Sequence, residues 1–125
     1  MSLISNMDSK ATIEELKWIV KRFCDDRDWA QFHSPKDLAI GISTEASELL
    51  EIFRFKSEKE IIEILKGPRR IKVSEELVDV LYFVLRFAEM NNIDLSEELG
   101  KKIGKNAEKY PVEKSKGSNK KYTEF

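Results

Sequence analysis

Ser74-Glu75-Glu76-Leu77-Val78-Asp79-Val80-Leu81-Tyr82-Phe83-Val84-Leu85-Arg86-Phe87-Ala88-Glu89-Met90 is the stretch that decides the fold. Wound at about 100° per residue, its Leu, Val, Phe and Ala side chains cover almost the whole circumference of a helix. A helix that is apolar nearly all round is buried on several sides. It is therefore either the centre of a helical domain or a helix that also meets another subunit. Only a narrow polar strip remains, carrying Glu75, Asp79 and Arg86, with Glu76 bordering Phe83.

Glu76 and Asp79 stand at i, i+3, on neighbouring surface of one turn. The same spacing occurs upstream as Glu45-Ala46-Ser47-Glu48. That pair lies in a second helical pattern, expected from Pro35 to Phe55, whose apolar face is Leu38, Ile42, Leu49 and Phe53. Glu45 falls inside this face and Glu48 at its edge. A charge on a packing face is costly unless it is paired or binds a metal. If the two helices pack together, four carboxylates converge. Two unit charges 4 Å apart cost about 4 kcal/mol at an effective dielectric near 20. A hard divalent cation makes such a cluster tolerable, and Mg²⁺ favours oxygen ligands completed by water and substrate phosphate. The plainer readings are a helix acid paired with a nearby Arg or Lys for Glu45, and an Asp79–Arg86 ion pair for Asp79.

Capping signals punctuate the rest. Thr12 to Glu15 and Ser57 to Glu60 read as capping boxes. The first opens a helix with the stripe Ile13, Leu16, Ile19, Val20 and Phe23, running to about Asp26. Ser34-Pro35 reads as a cap followed by a first-turn proline. Between them, Asp28-Trp29-Ala30-Gln31-Phe32-His33 puts two aromatics and the single histidine in a short link. Gly67-Pro68 stops the short helix begun at Ser57. Arg69, Arg70 and Lys72 then read as a basic connector. Asp94 to Glu97 opens a last helix, closed by Pro111, with Leu99, Ile103, Asn106 and Tyr110 as its stripe. Lys102, Asn106 and Lys109 follow one edge of it. Two cations and an amide so aligned suit a polyphosphate, although a solvated helix edge has the same pattern.

The 125 residues, 41% hydrophobic and 36% charged with 5 Gly and 3 Pro, indicate one helix-rich domain. The expected division is a flexible lead over 1–11, the domain over 12–111 and a basic polar tail over 112–125, flexible apart from Tyr122 and Phe125. The net charge of −1 hides an asymmetry, with eight Lys and three acids in residues 101–125 and 14 basic against 20 acidic residues elsewhere. No basic body or reading module supports nucleic-acid binding. No apolar run reaches the roughly 20 residues that span a bilayer. There is no basic-then-apolar leader, and the lone Cys24, read as a small buried hydrophobe, fits a reducing cytoplasm. One His and one Cys cannot supply a usual zinc site. Neither acid pair has the His of a di-iron bundle. The five glycines are scattered rather than gathered in a phosphate loop, and His33 has no nucleophile motif near it. What remains is hydrolysis or transfer assisted by a hard metal.

Taken in order, these motifs resemble those of the MazG-like all-α nucleotide pyrophosphohydrolases, in particular the dCTP pyrophosphatase subgroup. The resemblance is carried by Arg27-Asp28-Trp29-Ala30-Gln31-Phe32-His33-Ser34-Pro35, by Glu45-x-x-Glu48-Leu49-x-Glu51-x-Phe53, and by Glu75-Glu76-Leu77-x-Asp79-Val80-Leu81. Lys102-Ile103-x-x-Asn106-x-x-Lys109-Tyr110-Pro111 and Lys121-Tyr122-Thr123-Glu124 extend it. It implies a helical bundle of four to five helices, a homodimer or homotetramer, and cleavage of a nucleoside triphosphate between its α and β phosphates. It implies that Glu45, Glu48, Glu76 and Asp79 are the catalytic Mg²⁺ ligands, with Mn²⁺ as a substitute. By the same resemblance Lys102, Asn106, Lys109 and Tyr110 contact phosphate, and Trp29, His33 and Phe55 contact the base. Phe55 replaces a Trp and Val20 a His of the mammalian-type enzymes, which leaves an aromatic wall but removes one polar handle. The implied role is nucleotide-pool cleaning.

Overall fold

The computed structural model describes residues 7–125; the first part of the expected lead, residues 1–6, lies outside them. The described residues form helices α1 (Ile13–Asp25), α2 (Pro35–Phe53), α3 (Glu58–Lys66), α4 (Arg70–Met90), α5 (Leu95–Lys109) and α6 (Val112–Ser115). Two 3₁₀ turns, Ala30–Phe32 and Tyr122–Glu124, complete the order, and no strand occurs among the described residues. The fold is all-α, as expected. None of these helices is long and apolar enough to cross a membrane.

Local chemistry sets the helix starts. The side chains of Thr12, Ser34, Ser57 and Asp94 each accept a hydrogen bond from the backbone N–H three residues on. Glu60 returns the bond to the Ser57 N–H, which closes a full capping box. Two boundaries differ from the sequence reading. α4 begins at Arg70, so the basic connector is helical: Arg70 Nη1 donates to the Leu65 carbonyl at 3.1 Å, and Lys72 pairs with Glu76 one turn on. α2 ends at Phe53, because Phe55 adopts a left-handed backbone (φ 63°) in the tight link to the α3 cap.

One compact unit ends at Asn92. In it α4 packs most extensively on α2 and also touches α1 and α3. The core holds Val20 and Cys24 of α1, Leu38 of α2, Ile64 of α3, and Leu85 and Ala88 of α4. Cys24 is fully buried, with Sγ 3.1 Å from the Tyr82 hydroxyl. Gly41 lets α2 and α4 approach closely: a Cβ there would lie 2.6 Å from the Phe83 ring. The all-round apolarity of α4 is only partly absorbed within this chain, since Leu77 and Val78 remain 55% and 57% exposed.

The second unit spans Ile93–Phe125. It contains α5, α6 and a final 3₁₀ turn. Tyr110 meets Tyr122 and Phe125 edge-to-face, at 5.8 and 5.9 Å between ring centroids. Lys109 Nζ stands 5.0 Å above the Tyr122 ring. These ring and cation–π contacts anchor the chain end to the close of α5.

Candidate metal centre and nucleotide cleft

The packing of α2 on α4 brings the two acid pairs together. Glu45, Glu76 and Asp79 each place a carboxylate oxygen within 4.8 Å of the others. Glu48 contributes no atom to that trio, but it shares hydrogen bonds with both Glu45 and Glu76. The plainer pairing for Asp79 does not form: Arg86 pairs with Glu89 and bonds His33, and its Nη2 is left without a partner.

The electrostatics of the cluster follow from that convergence. The hydrogen bond shared with Glu48, then burial, then the charges of Glu48, Asp79 and Glu76 push Glu45 up to about 7. Glu76, 5% exposed, moves the other way, because Lys72 Nζ sits 2.7 Å from its Oε1. Glu45 Oε2 and Glu76 Oε2 are both buried without a hydrogen-bond partner. A buried carboxylate oxygen left bare is costly, and a trio of converging carboxylates with two such oxygens on different helices is a donor set for a hard cation. The residues fit a divalent ion such as Mg²⁺.

Glu45 and Asp79 also line a cleft of about 470 Å³. Its other walls are Ile19, Val20 and Phe23 of α1, Trp29 of the link, and Tyr82 and Phe83 of α4. The rings interlock edge-to-face: Phe23 with Trp29 at 5.6 Å, Phe23 with Tyr82 at 6.1 Å, and Tyr82 with Phe83 at 5.1 Å. The cavity thus combines two carboxylates with four aromatic rings. Sequence reasoning placed Trp29 here but treated Phe23 and Phe83 as core and passed over Tyr82. A tyrosine within the Val/Leu run of α4 was the available signal.

The remaining candidates are placed differently. His33 is half-buried and does not line the cleft; its Nδ1 accepts from Arg86 Nε at 3.0 Å. Its pKa is lowered by burial and by the Arg86 charge, with Asp37 opposing. Phe55 is 88% exposed, outside the cleft lining, with the Arg54 guanidinium 4.5 Å over its ring. Lys102, Asn106 and Lys109 lie on α5 of the second unit, Asn106 half-buried and the two lysines exposed, and Tyr110 caps that helix.

A family model described as the MazG-like family matches residues 40–125. The chain is 36% identical over 120 residues to dCTP pyrophosphatase 1 of Mus musculus, covering 91% of this chain and 68% of that protein. It is 34% identical over 121 residues to dCTP pyrophosphatase 1 of Bos taurus, covering 96% and 72%. The crystal structure of a pyrophosphatase from Archaeoglobus fulgidus superposes with a TM-score of 0.74 at 38% identity, over 88% of this chain and 99% of that one.

Proposed function

The chain belongs to the MazG-like family, and from that premise we propose that it is a Mg²⁺-dependent nucleoside triphosphate pyrophosphohydrolase. Its substrate is dCTP or a related deoxynucleoside triphosphate, cut between the α and β phosphates to give the monophosphate and pyrophosphate. The observation that carries this reading is the meeting of three carboxylates from two helices, two of them with bare buried oxygens and two of them lining an aromatic cleft. The solved pyrophosphatase of the same fold and the relatives named for dCTP support it.

Glu45, Glu76 and Asp79 would hold the cation, with Glu48 bracing Glu45 and Glu76 by hydrogen bonds or completing the set. A bound Mg²⁺ supplies polarisation of phosphoryl oxygens and a more acidic bound water. Trp29, Phe23 and Tyr82 offer apolar ring surface for a base. Lys102, Asn106, Lys109 and Tyr110 are proposed as phosphate contacts from the matching motif, where ammonium and amide donors neutralise charge on the transferring group. The exposed Leu77 and Val78 on α4 support assembly as a homodimer or homotetramer. The family resemblance supports a role in cleaning the cytoplasmic nucleotide pool.

A panel of nucleoside triphosphates assayed with Mg²⁺ and pyrophosphate detection tests the proposal. Pyrophosphate and monophosphate are the expected products, and release of orthophosphate rejects the cleavage position. Val20, an aliphatic side chain in the cleft wall, favours a second reading with looser base choice. On that reading dUTP, other triphosphates or a phosphoribosyl-nucleotide turn over comparably with dCTP.

A further inference from the structure

The basic run Arg69-Arg70-Ile71-Lys72 carries a group that the carboxylate centre uses. Arg70 Nη1 donates to the Leu65 carbonyl at 3.1 Å, near the close of α3, and α4 begins at Arg70, a full turn before Ser74. That added turn makes Lys72 helical. Lys72 therefore stands four residues before Glu76 on the same face of α4. Its Nζ sits 2.7 Å from Glu76 Oε1.

The pair is lopsided: the Lys72 side chain is 60% exposed and that of Glu76 only 6%. A bridge whose lysine is in water adds little to stability. Its effect on the carboxylate is larger. Glu75 and Glu48 act on the same ammonium through their charges, but the bond goes to Glu76. The two oxygens of Glu76 thus differ. Oε1 is engaged by the ammonium, while Oε2 is buried with no hydrogen-bond partner. Glu76 is one of the three acids that converge, and the oxygen it has free for an ion is Oε2.

The number of oxygens a carboxylate can offer separates the two common hard cations. Ca²⁺ takes about six to eight oxygens and accepts a carboxylate through one or both of them. Mg²⁺ demands near-octahedral geometry at shorter distances and keeps several waters. We propose that Lys72 is a positioning residue: by occupying Oε1 it restricts Glu76 to one coordinating oxygen and biases the centre towards Mg²⁺ over Ca²⁺. This rests on the carboxylate trio being a divalent-cation site.

Calorimetric titration of the nucleotide-free chain with MgCl₂ and, separately, with CaCl₂ tests the role, comparing the unaltered protein with Lys72→Met. Methionine keeps an unbranched, helix-favouring side chain and removes the ammonium. Lys72 is a surface residue, so helix content should be retained. The unaltered protein should bind Mg²⁺ more tightly than Ca²⁺. In Lys72→Met the ratio of the Ca²⁺ Kd to the Mg²⁺ Kd should fall about tenfold, the lower end for loss of a partner that orients a metal ligand. A lysine acting only as a nearby positive charge repels both ions, and its removal tightens both alike. An unmoved ratio therefore overturns the positioning role, as does an unaltered protein that holds Ca²⁺ at least as tightly as Mg²⁺. Infrared difference spectra give a second readout. On Ca²⁺ loading, Lys72→Met should show the narrowed carboxylate band splitting of two-oxygen coordination where the unaltered protein does not; equal splitting in both overturns the one-oxygen restriction. Failure to bind either ion would reject the metal centre itself, whereas tight binding with an unmoved ratio rejects the role of Lys72 alone.

Discussion

Asp79 is exposed, belongs to the carboxylate trio and has no part in the Arg86 network. Asp79→Asn should therefore spare the fold and lower kcat/KM by about two orders of magnitude, the usual cost of removing one electrostatic stabiliser. Unchanged activity would remove Asp79 from the metal centre. Glu45 makes a second, pH-dependent case. Its folded-state pKa is raised from 4.5 to about 7, so the folded chain holds this proton more tightly than the unfolded one does. Its contribution to stability is fully present below pH 4.5 and is lost as pH rises through about 7. Glu76, with a lowered pKa, contributes in the opposite sense, and only as pH falls through and below its ordinary 4.5. Metal-free protein should thus lose Tm between these limits, and Glu45→Gln should flatten the loss. Mg²⁺ needs the ionised carboxylate, so its affinity should rise with pH over the same window and its binding should release a proton. Calorimetry in buffers of different ionisation enthalpy measures that proton; its absence would contradict the shared-proton picture.

At the scale of elements, the contact of α2 with α4 positions the site, and Gly41 sets its closeness. Gly41→Ala puts a methyl 2.6 Å from Phe83. Overpacking of this kind costs about 1–3 kcal/mol. Phe83 is also a cleft wall, so KM should rise along with the loss of Tm. A Tm drop with nucleotide affinity intact would show that the ring yields away from the cavity. The elements themselves were largely readable in the sequence, because caps act over three residues and Thr12, Ser34, Ser57 and Asp94 all cap as their spacing implies. The start of α4 was not, since a basic run reads as a connector until Arg70 finds the Leu65 carbonyl and Lys72 finds Glu76. The acid trio was readable from helical phase. The aromatic wall was not, because it depends on how α1 lies against α4, and the Arg86–His33 bond joins residues far apart in sequence.

On the scale of the whole molecule, α4 carries more apolar surface than this chain covers. Leu77 and Val78 are the most exposed apolar residues of its central part. Leu77→Glu should shift the protein towards monomer in sedimentation or light scattering, with helix content retained. An unchanged mass would place any subunit contact elsewhere. Chelation offers a companion test. A ligand that binds only the folded state stabilises it by about 2.7 kcal/mol at a hundredfold excess over its Kd. Saturating Mg²⁺ should therefore raise Tm measurably, and EDTA should reverse the gain.

The trio draws its members from residues 45, 76 and 79, on two helices separated in sequence by a third. An ion seated there is a removable rivet between segments that are otherwise joined by side-chain packing. Loading it should slow amide exchange along the middle of α2 and α4 together while leaving α3 as it was, so that the protein reports the filling of its own site through the stiffness of its frame.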